Sequence, residues 1–143
     1  MKPFLNTYAD GQLVARTLLI VTALAEAPIG VLLLFSPPLV ARLLLGAPLD
    51  APAASIVGRI AGGALLALSA ACWLARDDRP GLALRGLIAA MLLYNCAALG
   101  VLAHAGAVMG LAGVLMWPAV AVHAALAVWC VACLRRGPVT AAG

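Results

Sequence analysis

The sequence predicts an all-α membrane protein built as a four-helix bundle, and three observations predict it. Of its 143 residues, 66% are hydrophobic and only 10% are charged. The apolar residues gather into four stretches, each close to the roughly 20 residues that cross a hydrocarbon core. None of the stretches has the period-two alternation of a barrel strand, and lipid tolerates only helices or closed barrels as spanning structures. The connections between the later stretches are short, so one bundle over 1–143 is expected to use up the chain as a single domain.

The spans are expected at about 13–35, 55–75, 82–103 and 107–134. Their orientation follows from the basic residues. With the N-terminus in the cytoplasm, Lys2, Arg16, Arg76, Arg79, Arg85, Arg135 and Arg136 gather inside, while Arg42 and Arg59 are left on the outer side. That asymmetry assigns both termini to the cytoplasm. The net charge of +4 then reflects topology and anionic lipid. A nucleic-acid partner is not expected, because no basic stripe lies on a soluble face.

At the N-terminus, Ala23-Leu24-Ala25 has the small-residue look of a signal-peptide cleavage site. The apolar run resumes at Ile29 and continues to Phe35, which favours a full span instead. Between the first two spans, Pro37, Pro38, Pro48 and Pro52 bracket the apolar run Leu39 to Gly46. It is too short to cross, so it reads either as a short interfacial helix with Arg42 among headgroups or as a packed lid loop. Arg76-Asp77-Asp78-Arg79-Pro80-Gly81 reads as a tight polar turn between the second and third spans.

The polar residues inside the spans carry the functional reading. A charge at the bilayer centre costs roughly 2.5 to 3.5 kcal/mol on insertion scales, so Glu26 and Arg59 should face protein, water or a partner. Glu26 lies about 15 Å below the outer end of its span and Arg59 about 7 Å below the same level, which makes an ion pair between the two geometrically reasonable. Tyr94 and Asn95 on the third span, and Trp117 with Pro118 on the fourth, fall at a similar depth. Pro28 and Pro118 each release a carbonyl four residues earlier, at Leu24 and Val114. This cluster reads either as interhelical glue or as a ligand or proton site.

The histidines do not form a haem pair. His104 ends the third span and is expected at the interface, whereas His123 lies deep in the fourth, roughly 20 Å or more away in level. A core His123 bonded to a neighbouring carbonyl is the expectation, and no metal site is expected. Cys72, Cys96, Cys130 and Cys133 all fall in apolar segments. Cys130 and Cys133 have redox-pair spacing, but they sit at a helix C-terminus, where the dipole opposes a reactive thiolate, so a thiol oxidoreductase ranks below the other readings. Gly58, Gly62 and Gly63, and Gly106, Gly110 and Gly113, permit close helix approach, within the bundle or across a homodimer.

The stretch Gly58-Arg59-Ile60-Ala61-Gly62-Gly63-Ala64-Leu65-Leu66-Ala67-Leu68, with Ala89-Ala90-Met91-Leu92 leading to His104, resembles the DoxX-like group of small bacterial four-helix membrane proteins. The resemblance implies a bundle with a polar centre and an accessory or quinone-linked role in a membrane redox complex; it implies no catalytic residue. Small multidrug transporters offer a second comparison, since they place one essential Glu in the first of four helices, as Glu26 does here. On that reading Glu26 would be a protonatable carboxyl in a transport site. Arg outnumbers Lys eight to one, which points to a bacterium with a GC-rich genome and to its inner membrane.

Overall fold

The computed structural model describes residues 2–136, with side chains from residue 11 onward. The side chain of Lys2 and residues 137–143, which the sequence assigns to the cytoplasmic side, lie outside the described residues. The described chain is all helical: α1 (Lys2–Phe35), α2 (Pro37–Leu45), α3 (Pro52–Ala75), α4 (Leu82–Ala107) and α5 (Met116–Arg135). Four of these helices contain segments long and apolar enough to cross a membrane, with Gly11–Phe35 the apolar part of α1. Their outward faces are apolar too. Leu24, Ile60, Leu74, Leu93 and Val128 are all exposed, an arrangement that suits hydrocarbon surroundings and not water.

The helices associate as two antiparallel pairs, α1 with α3 and α4 with α5, and α3 touches α4 along little of its length. The first pair is close because small residues meet. A Cβ on Gly62 would come within 2.6 Å of the Leu34 nitrogen and 2.7 Å of the Gly30 oxygen, so backbone lies against backbone there. Further along, the Ser69 hydroxyl donates to the Ala23 carbonyl at 2.8 Å. The two pairs join through a core of Leu18, Leu19, Cys72, Leu84, Ile88, Met91, Leu126 and Cys130.

One end of the bundle is basic. Arg16 pairs with Asp77 at 2.8 Å, and Arg85 Nη1 donates to the Leu134 carbonyl at 3.3 Å, which gathers the start of α1's apolar segment, the α3–α4 turn and the end of α5. The opposite end carries α2, the connection to α3 and the segment 108–115. Helix α2 starts on Pro37 and Pro38, whose missing N–H groups cost nothing in a first turn, and it stops at Gly46 with φ 67°. A helix there is one of the two alternatives the sequence leaves open.

The fourth long helix begins nine residues later than expected, at Met116 and not near 107. Residues 108–115 instead turn through Gly110 at φ 69° and dock on α2. The Gly113 and Leu115 N–H groups donate to the Leu44 and Leu43 carbonyls, each at 2.9 Å, satisfying acceptors that the end of α2 would otherwise leave free. Gly113 lies so close to the Leu43 backbone that a side chain there would collide with it. The shift also changes the part played by Pro118. It falls in the first turn of α5, where no helical N–H is needed, so it starts the helix and does not loosen its middle.

Candidate functional site

Glu26 lies in mid-helix on α1 and is 4% exposed. Its Oε2 accepts a hydrogen bond from the Tyr94 hydroxyl of α4 at 3.0 Å. This bond crosses from one helix pair to the other. Tyr94 stands edge-on to the imidazole of His123 on α5, with ring centroids 5.6 Å apart and planes at 83°, the electrostatically favoured arrangement for two rings. His123 in turn meets Asn95, Nδ1 to Oδ1, at 2.9 Å. Because the Asn95 amide nitrogen donates to the Met91 carbonyl at 2.8 Å, its oxygen is the acceptor, and His123 carries its proton on Nδ1. The four residues form one contiguous polar chain across α1, α4 and α5.

The structure thus brings together Glu26, Tyr94, Asn95 and His123. His123 finds the carbonyl expected of it on a side chain. Arg59 is not among them. Its Nη1 donates to the Leu34 carbonyl at 2.9 Å, and among the described residues ion pairs form only at Arg16–Asp77 and Arg76–Asp77. The expected Glu26–Arg59 ion pair is therefore corrected. Leu34 is eight residues beyond Glu26, about 12 Å along the axis. Its carbonyl belongs to the last turn of α1 and has no helical donor, so it offers Arg59 an acceptor nearer the end of the bundle.

Trp117 also stands apart from the cluster. It is 53% exposed at the start of α5 and packs beside Gly106, because the late start of α5 places it at the end of the bundle. His104 is exposed in the last turn of α4, and Arg42 is exposed on α2. The four cysteines are free thiols, with Cys72 and Cys130 fully buried, Cys133 partly buried and Cys96 exposed. Cys72 reaches Met91, sulfur to sulfur, at 3.3 Å. Among the described residues, no three His, Cys, Asp or Glu side chains converge as a metal site.

Two features were missed in the sequence. Thr22, one turn before Glu26, is fully buried, and its hydroxyl has no hydrogen-bond partner. The i, i+4 spacing to Glu26 was the available signal. The second is an apolar groove of about 570 Å³ between α2, α3 and α4, lined among others by Leu33, Ala41, Val57, Val101 and Leu102. It depends on which helices fail to touch, and no local pattern encodes that.

No protein-family model matches this chain, and no curated protein or solved structure shows significant similarity to it. The chemistry must be read from the site itself. The groove and the polar chain are in register: Leu33 is seven residues beyond Glu26 on α1, and Val101 and Leu102 are seven beyond Tyr94 and Asn95 on α4. Seven residues are two helical turns, so the same faces carry polar groups at one level and hydrocarbon about 10 Å further along.

Proposed function

We propose that this chain is a multi-pass protein of the bacterial inner membrane, with both termini cytoplasmic, that holds a lipid-like amphiphile, a quinone or a lipid, between its two helix pairs as an accessory component of a membrane complex. One observation carries the reading: the polar chain and the apolar groove share helix faces, two turns apart. The amphiphile's tail would occupy the groove lined by Val57, Val101 and Leu102, and its head would meet Tyr94 and the outer side of Glu26. A mostly apolar site with a few placed polar groups is the usual make-up of a small-molecule site. The arginine distribution supports the orientation. The resemblance to the DoxX-like group fits the same role.

The test is extraction of the purified protein followed by mass spectrometry of what it retains. Val57→Trp and Val101→Trp, which fill the groove, should each reduce the retained amphiphile several-fold at unchanged expression. Equal retention in both variants and the unaltered protein would overturn the reading.

A second reading, proton-coupled transport through Glu26, is favoured by one specific observation. Glu26 is buried without a basic partner among the described residues, which is the situation of a carboxyl that exchanges its proton. Substrate-driven proton movement in proteoliposomes, lost in Glu26→Gln, would support it; the absence of such movement would remove it.

A further inference from the structure

We infer that the Thr22 hydroxyl and the Glu26 carboxylate form a binding site for a small monovalent cation, sodium in size and charge, inside the helix bundle. This site shares Glu26 with the amphiphile reading but does not rest on it.

The first argument is electrical. An ionised carboxylate this deep needs a compensating positive charge. The Tyr94 hydroxyl on α4 donates to it, and His123 on α5, edge-on to Tyr94, is engaged with Asn95. Arg59 is held at Leu34. Among the described residues no Lys or Arg supplies the charge.

The second argument is the orphan hydroxyl. Thr22 is 0% exposed, and its Oγ1 has no hydrogen-bond partner, whereas Thr17, five residues earlier, satisfies its own hydroxyl on the Leu13 carbonyl at 2.8 Å. Buried polar atoms are rarely left without a partner, and a bound ion is one of the explanations such an exception calls for. Thr22 and Glu26 occupy the same face of α1 one turn apart, with Cβ atoms about 5 to 6 Å from each other by helix geometry. A cation between them would take the hydroxyl oxygen and a carboxylate oxygen as ligands, with the Tyr94 oxygen already on Oε2. With the side chains placed as they are, a proton on Glu26 would neutralise the charge but leave the Thr22 hydroxyl without a partner. A divalent ion would leave a net buried positive charge against one carboxylate. A hard monovalent ion meets both requirements.

Equilibrium binding of ²²Na⁺ to the full chain in phosphatidylcholine nanodiscs tests this, because a zwitterionic bilayer adds no anionic sites. The expected result is saturable binding, displaced by unlabelled sodium. Affinity should fall at least ten-fold in Thr22→Val, be retained in Thr22→Ser and be lost in Glu26→Gln. If Glu26→Gln does not fold, the two Thr22 variants decide the matter. Absence of saturable binding by the unaltered protein, or equal affinity in Thr22→Val, would overturn the site. Retained amphiphile with no sodium binding would overturn this inference alone, and sodium binding without amphiphile would overturn only the other.

Discussion

Tyr94 donates its hydroxyl to Glu26 at 3.0 Å, a side-chain bond that links α4 of one helix pair to α1 of the other. The second link nearby, Cys72 to Met91, is a weak sulfur contact. Tyr94→Phe should therefore loosen the junction of the pairs. Hydrogen bonds inside membrane bundles contribute about 0.6 kcal/mol on average and up to about 1.7. Thermal unfolding in mild detergent should register a loss in that range; an unchanged melting temperature would mean that the bond does not join the pairs.

Arg59 should be energetically uncoupled from Glu26. A double-mutant cycle of Glu26→Gln and Arg59→Met is expected to close within about 0.5 kcal/mol, as it does for separated sites. The cycle of Glu26→Gln with Tyr94→Phe should not close. Strong coupling in the first cycle would restore the ion pair that depth alone makes reasonable.

Gly62 and Gly63 are adjacent in sequence and should differ sharply. Gly62→Ala drives a methyl against the backbone of Gly30 and Leu34, whereas a Cβ at Gly63 meets nothing within 4 Å. Overpacking of this kind typically costs about 1 to 3 kcal/mol, so Gly62→Ala should unfold earlier while Gly63→Ala stays close to the unaltered protein. Equal melting temperatures would contradict the close approach of α1 and α3.

The thiols should alkylate in order of exposure. A membrane-permeant maleimide is expected to label Cys96 first and Cys133 more slowly, and to leave Cys72 and Cys130 unmodified until the protein unfolds. Rapid labelling of Cys130 would revive the thiol-redox reading of the Cys130 and Cys133 pair.

Asp50 and Arg79 belong to opposite ends of the bundle. Single cysteines introduced at these positions should react with an impermeant reagent from opposite sides of the membrane, Arg79 from the cytoplasm. Labelling of both from one side would exclude the four-span arrangement.

Composition and hydropathy alone determined that this chain forms four long apolar helices, because the demand that lipid places on backbone hydrogen bonds is local and uniform. Pro37 and Pro38 bounded a segment that the sequence left as either a helix or a loop, and Pro52, which the sequence placed in the connection, opens α3 in the structure. Glu26, Tyr94 and Asn95 were legible as a group through depth along a helix, which is one-dimensional, whereas His123 was expected only as a core residue bonded to a carbonyl. Depth also suggested Arg59 and Trp117, and there it was not enough. Arg59 takes the free Leu34 carbonyl in the last turn of α1, an acceptor that exists only because that helix ends there. Trp117 moves to the end of the bundle because residues 108–115 pair with the end of α2 and delay α5. Only the tertiary structure decided these points, along with the groove and the solitary hydroxyl of Thr22, since each depends on which helix faces which and where neighbouring backbones come into contact.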